Sequence, residues 1–400
     1  MRTTQNIVVK GLMAAVILPA GIWLSSCSAT PPLPLPASIR EAAAIDQLME
    51  SAIQRGVVAG GVVLIGDRGG VLLERAYGKI SCAPDARQMD VDAVFDIASL
   101  TKVVATTTSV MKLAEEGKIS LVDPVKKWFP EFRKHGKDDL LIMNLLTHTS
   151  GLHDFPMPVI NTLQSSVEVA ASQQMQFEPG QHFRYADINF ILLGELVRRV
   201  TGETLDRYAA ENLFNPLGMV DTGFNPSIER VPRCAATLNE DKSPLVGLAQ
   251  DYNARLLGGV AGHAGVFSTA LDLSRFCRMI LNDGELDGRR VLSERAVAQM
   301  TAPYFSGGGK VVRGLGWDRE SPYSAPRGNG FSEVSFGHTG YSGTSIWIDP
   351  ENDIFVLLLT ARLNFKNVGE FNQLRSDLSS VVAARYIPVV KTAEIARHYD

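Results

Sequence analysis

Residues 96–104 read "DIASLTKVV". One lysine, Lys102, stands among Ala, Leu and Val three residues after Ser99. Burying a lysine costs several kcal/mol unless its charge is paired or given up. From Ser99 the run "SLTKVVATTTSVMKLAEEG" predicts a helix that is apolar nearly all round, therefore buried, and ended by Gly117. The i,i+3 spacing stacks Lys102 over Ser99 at the helix start, where unpaired N–H groups can meet a developing oxyanion. A serine, an amine within reach of its hydroxyl and a set of free N–H donors are the parts of a nucleophilic site. The tetrapeptide S-x-x-K alone is common, and a lysine on a helix surface is its ordinary explanation.

Outward from this stretch the chain reads as α/β. "SIREAAAIDQLMESAIQRG" places Ile45, Leu48, Met49, Ala52 and Ile53 on one helical stripe, with Gly56 as its stop. "AGGVVLIGD" and "GVLLERAYGKI" predict a hairpin around "DRGG". Strands return near the end as "TSIWID" and "DIFVLLLTAR", joined by "PEND" and followed by a helix in "EFNQLRSDLSSVVAARY". The expected fold is an antiparallel sheet built from both ends of the chain and flanked by N- and C-terminal helices. A mostly helical subdomain, roughly 95–300, carries helices such as "INFILLGELVRRVTG" and "ALDLSRFCRMILNDG".

The 400 residues carry a net charge of -4, with 45% hydrophobic and 20% charged residues, enough for a full core and without the basic field that nucleic acid needs. Arg2 and Lys10 precede the apolar run "GLMAAVILPAGIWL", which suits a secretory signal and is too short and interrupted for a good membrane span. The run ends in "LSSC", which resembles a lipoprotein cleavage box, so residues 1–26 are expected as signal peptide and Cys27 as the lipidated membrane anchor. Residues 27–37 are expected as a Pro-rich tether, 38–390 as the folded domain and 391–400 as a tail. Cys82, Cys234 and Cys277 are an odd set with no zinc spacing, and Cys277 has helical spacing to Leu273 and belongs in the core. His148 and His153 lack a helical metalloprotease pattern, so neither metal nor cofactor is expected.

Two further segments complete a pattern. "FRYADINFILLGELVRRVTG" brings Tyr185 just before a helix, and "FGHTGYSGTSIWID" leads a Gly-flanked turn into a strand. With the serine segment they stand in the order of the three motifs of the serine β-lactamase and penicillin-binding protein superfamily, and the chain resembles its class C β-lactamase-like group. The resemblance runs from about residue 40 to 385 and takes in "LLTHTSGL" and "GGVAGHAGVFSTALDLSRF". It implies Ser99 as nucleophile, Lys102 as its activating partner and Tyr185 as a proton shuttle, with the backbone N–H groups of Ser99 and Tyr341 as oxyanion hole. It also implies a β-lactamase/transpeptidase-like fold with the active site between the sheet and the helical subdomain, and substrate contacts at Asp187, His338, Thr339 and Gly340.

Two positions depart from the group. His338-Thr339-Gly340 stands where lysine usually precedes Thr-Gly, and an unperturbed histidine is mostly neutral at pH 7, so no fixed cation is expected on that side. Asp187 stands where asparagine is usual; it only accepts hydrogen bonds and favours the protonated form of a nearby Lys102, unless it merely caps the helix that follows. His263, between glycines, reads as a satisfied structural histidine, and "LLTHTSGL" as a structural loop under the serine helix. The expected activity is a serine hydrolase acting through an acyl-enzyme at the cell envelope on a peptidoglycan-derived D-peptide, a D-amino-acid amide or a small ester. A β-lactamase and a catalytically silent penicillin-binding-like module are the alternatives.

Overall fold

The computed structural model describes residues 37–387, apart from 136, 240, 242, 308–310 and 363–365. The expected signal peptide, Cys27 and the C-terminal tail lie outside the described residues. Helix α1 (Ala37–Gln54) leads into the hairpin β1 (Val58–Gly66) and β2 (Val71–Gly78). The middle of the chain carries α2 (Thr108–Glu115), α3 (Asp187–Thr201) and α4 (Ala270–Leu281). It then returns through β3 (Phe305–Gly307), β4 (Val311–Arg313), β5 (Asp318–Glu320), β6 (Phe336–Thr339), β7 (Ser345–Asp349) and β8 (Ile354–Arg362) to helix α5 (Val368–Tyr386).

These eight strands form one antiparallel sheet in the order β3-β4-β5-β6-β7-β8-β1-β2, so the first hairpin sits beside the last long strand. Val62 pairs with Leu359 and Val63 with Leu358. All nine residues of β1 and all nine of β8 are buried, which requires cover on both faces. Alternation divides them. Val63, Ile65, Val356 and Leu358 pack with Ile45 and Met49 of α1 and Leu374 and Leu378 of α5. Val62, Leu64, Leu357 and Leu359 face the helical subdomain, where Val103, Leu193 and Phe276 continue the same core.

The α/β architecture expected from the sequence is therefore present, with Gly56 and Gly117 in the left-handed conformation expected of helix stops. Strands β3–β5 were not expected: three residues each is too short for an alternating pattern to register. The serine helix also differs from a uniform α-helix. Ala98–Leu100 is a 3₁₀ turn, Lys102–Thr107 is π-helical, and regular α-helix begins only at Thr108. A π segment adds one residue to a turn and recurs at functional sites.

Candidate active site

Ser99 begins its helix under backbone strain. Ala98, the residue before it, has φ 45°, a left-handed conformation unfavourable for an L residue with a β-carbon. Buried Asp96 holds the turn: one carboxylate oxygen accepts the N–H of Ala98 at 2.8 Å and the other that of Gln250 at 2.6 Å. Burial pushes this carboxyl up to about 6, against the pull of those two bonds. Ser342 donates to the carbonyl of Asp96 at 2.6 Å and Thr344 to that of Ile97 at 3.0 Å, tying the serine turn to the end of β6. A β-carbon on Gly340 would lie 2.1 Å from the Thr344 hydroxyl and 2.5 Å from the Ile97 carbonyl, so only glycine permits this approach.

Lys102 is fully buried. Its Nζ donates to Ser99 Oγ at 3.0 Å and to the carbonyl of His263 at 3.0 Å, and lies 2.7 Å from Asp187 Oδ1. Burial alone works against the ammonium, but the Asp187 carboxylate outweighs it and raises the lysine above its ordinary value. The helix-capping alternative for Asp187 does not hold. Asp154 takes that part, accepting the Ile188 N–H at 2.9 Å, while Asp187 turns inward to the lysine. The carbonyl of His263 is delivered by a close approach of its loop to α3, where a β-carbon on Gly262 would fall 1.9 Å from the Phe190 carbonyl.

The His263 ring meets Asp251 Oδ1 through Nε2 at 2.8 Å, while its buried Nδ1 has no hydrogen-bond partner among the described residues, so the ring is only half satisfied. Burial opposes ionisation of Asp251, but the His263 bond and the one it accepts from the Ala254 N–H hold the carboxyl below its usual range. Asp187, Asp251 and His263 bring donor atoms within 4.8 Å of one another, a spacing a cation could use, and the Lys102 ammonium already pairs with Asp187 there.

The half-buried Tyr185 ring lies on the other side of Lys102, 5.0 Å from Nζ to the ring centroid. Burial raises its phenol, and the lysine's charge and the hydrogen bonds of Lys102 and Ser99 pull part of the way back. Ser99, Tyr185, His338, Thr339, Gly340 and Tyr341 line one cleft of about 220 Å³. A larger hollow, about 730 Å³, lies between α3 and the loop around Leu256–Gly262, but it lacks the serine and the tyrosine, so the chemistry points to the smaller one.

A family model for beta-lactamases matches residues 42–376. The chain belongs to the beta-lactamase family. It is a serine hydrolase of that family. Its relatives include a protein of Salmonella agona named "Putative D-alanyl-D-alanine carboxypeptidase", 31% identical over 304 residues, which span 68% of this chain and 70% of that one. A penicillin-binding protein homologue from Caulobacter crescentus has the same fold with a TM-score of 0.72 at 20% identity, over 86% of this chain and 97% of that one. The hydrolase EstCE1, described as having promiscuous acyltransferase activity, aligns with a TM-score of 0.71 at 22% identity, over 86% and 100%.

One expectation for this beta-lactamase-family hydrolase fails at His338. The histidine is buried, with Nδ1 2.9 Å from the Thr339 carbonyl, and burial together with the charges of Arg313 and Lys102 holds it well below its ordinary value, hence neutral. Yet fixed cations do stand on that side of the cleft: Arg362 and Arg375 line it. Arg375 is 5% exposed and donates to the carbonyls of Gly340 and Thr344, both at 2.7 Å, and to Asn372 Oδ1 at 3.2 Å. Its Nε has no hydrogen-bond partner among the described residues. Burial, with Arg362 beside it, pushes the guanidinium down to about 9. Sequence reading missed it because it lies 35 residues beyond Gly340 in a helix whose pattern reads as simple packing.

Proposed function

We propose that this hydrolase is a D,D-carboxypeptidase-type enzyme that cleaves a peptidoglycan-derived peptide ending in a free carboxylate, with Ser99 as nucleophile. The observation that carries the substrate reading is Arg375, a buried cation on the cleft wall that is held by carbonyl and amide oxygens and the Phe371 ring, with no carboxylate paired to it among the described residues. A substrate carboxylate would supply the missing countercharge, and guanidinium suits that recognition. Nearby Arg362 adds to the positive field. The names of the relatives agree with this substrate class.

The charge states suggest how the proton travels. Lys102, held as ammonium, has no lone pair to accept the serine proton; it stabilises negative charge that develops on Ser99 Oγ and on the Tyr185 oxygen. Tyr185, held protonated, acts as a shuttle. As Ser99 Oγ bonds to the acyl carbon, its proton passes to the Tyr185 oxygen, and the tyrosine's own proton passes to the departing amine as the C–N bond breaks. In deacylation a water O–H bond breaks in the same way: its proton goes to Tyr185, and tyrosine's returns to Ser99. The backbone N–H groups of Ser99 and Tyr341 would hold the oxyanion; losing one such donor costs roughly 3 to 4 kcal/mol of barrier. Asp187 serves Lys102 here, leaving His338, Thr339 and Gly340 to face substrate.

The lipoprotein-type start would tether the enzyme at the cell envelope, where such peptides occur; Cys27→Ser should then abolish detergent partitioning. For the substrate, kcat/KM is compared for an acylated D-alanyl-D-alanine peptide, the same peptide as its C-terminal amide, a penicillin and a p-nitrophenyl ester. The carboxylate reading expects the free acid to exceed its amide by at least about tenfold. Equal rates for the two would refute it and favour the ester reading, while fastest turnover of penicillin would favour the β-lactamase.

A further inference from the structure

His148, read from sequence as a structural loop residue, occupies an unusual place beside Tyr185. Its backbone has φ 55°, a strained conformation for a side-chain-bearing residue, and it is 1% exposed. Its carbonyl accepts the N–H of Arg184 at 2.9 Å, and its ring Nδ1 accepts the N–H of Ala186 at 3.2 Å. The two bonds therefore fall on either side of Tyr185. The imidazole also stacks on the Tyr185 ring, with centroids 4.4 Å apart and planes at 25°.

The network fixes the tautomer. Ser150 donates to Asn189 Oδ1 at 2.6 Å, so the Asn189 amide nitrogen, 3.3 Å from Nδ1, is a second donor to the same ring atom. Nδ1 thus carries no proton, and the proton sits on Nε2. Burial, with the nearby charges of Arg313 and Lys102, keeps this imidazole neutral. An imidazolium would present N–H to N–H and lose both bonds.

We infer that His148 is a positioning residue for Tyr185: the backbone bonds on both flanks and the ring stack aim the phenol at Ser99 and Lys102. This rests on the reading of Tyr185 as the proton shuttle. Reaction geometry is sensitive to displacements of about 1 Å, which cost up to about 100-fold in rate. Left-handed φ at His148 follows from the clamp, since carbonyl and ring must reach two residues of the same neighbouring segment.

The test measures kcat and KM on a p-nitrophenyl ester, with thermal melting, for His148→Phe, His148→Asn, His148→Gly, Tyr185→Phe and His148→Phe/Tyr185→Phe. Phe keeps a stacking ring and removes the acceptor; Asn offers an acceptor and tolerates positive φ; Gly relieves the strain but supplies neither ring nor acceptor. The inference expects His148→Phe and His148→Gly to lower kcat by about 30- to 100-fold with KM within about twofold, and Asn to recover to within about tenfold of wild type. In the Tyr185→Phe background the His148→Phe loss should vanish, because the two act through one group. Equal losses in both backgrounds, or full activity in folded His148→Phe and His148→Gly beside an inactive Tyr185→Phe, would overturn this inference alone. A fully active Tyr185→Phe would overturn the shuttle reading and the inference with it. If His148→Phe does not fold, the Gly and Asn pair decides: equal rates for the two contradict the clamp.

Discussion

Two buried cations serve the cleft, Lys102 bonded to Ser99 and Arg375 bonded to the carbonyl of Gly340, and they shift in opposite directions. Lys102, fully buried, has a carboxylate at 2.7 Å and is raised; Arg375, 5% exposed, is held by neutral oxygens and falls to about 9. Desolvation acts against the charge in both, so the partner decides the outcome. The lysine side is internally neutralised, and on the proposed mechanism it keeps its ammonium through the reaction. The arginine side retains an unspent charge toward a ligand. One wall is thereby suited to the chemistry and the other to recognition.

The largest effect should come from removing the compensated cation. Lys102→Met preserves the apolar stem but leaves Ser99 Oγ without its donor and Asp187 without its countercharge; acylation by a fluorophosphonate should slow by roughly 1,000-fold or more. A loss below about tenfold in stopped-flow acylation would mean the arginine wall carries more of the chemistry than the lysine does.

Breaking the pair from the other side sharpens the contrast. Asp187→Asn turns Lys102 into a cation like Arg375, buried and held by neutral groups, and should cost about 3 kcal/mol of stability near neutral pH. In the wild type, a lysine raised above its unfolded value of about 10.5 contributes stability at every lower pH and loses it only as pH rises through the folded value. In the variant the folded lysine drops below the unfolded one, so its stability should recover as pH climbs toward about 10. Urea denaturation between pH 7 and 10 checks this sign; a deficit that does not shrink would place the lysine's compensation elsewhere, such as the His263 carbonyl.

Much of the chemistry wall was legible in sequence because it is local or motif-spaced. Ser99 and Lys102 are three residues apart, Tyr185 is marked by the helix after it, and the alternation and apolar runs of β1, β7 and β8 predict the sheet. The π segment was not legible, since the residues of "KVVATT" carry no period that separates it from an α-helix. Nor was the inward turn of Asp187, because Asp before an apolar run is an ordinary cap; only Asp154, brought in from 34 residues away, frees it. Arg375 and the clamp of His148 on Tyr185 depend on tertiary approach across long loops, for which local pattern holds no signal.

On the recognition wall, Arg375→Gln should raise KM for carboxylate-bearing peptides by about 10- to 100-fold while changing kcat/KM for a neutral p-nitrophenyl ester by less than about threefold. Parallel losses on both substrates would make Arg375 a structural brace of the Gly340 turn. The smallest effect concerns His338, which stays neutral when folded and protonates near pH 6.5 when unfolded. The unfolded state then binds more protons below that pH, so this residue withdraws about 1.4 kcal/mol of stability per unit of acidification until the folded value is reached. His338→Gln should flatten the acid limb of a melting-temperature profile by that share, and an unchanged slope would show an imidazole that titrates normally in the cleft.

All of this rests on Ser99 as the acylated residue. Intact mass followed by peptide mapping, on wild type and Ser99→Ala treated with a fluorophosphonate, tests it directly. The account predicts a single adduct on the wild-type peptide containing Ser99 and none on the variant, with melting temperatures alike. An adduct persisting on Ser99→Ala at another serine, or no adduct on the folded wild type, would contradict it.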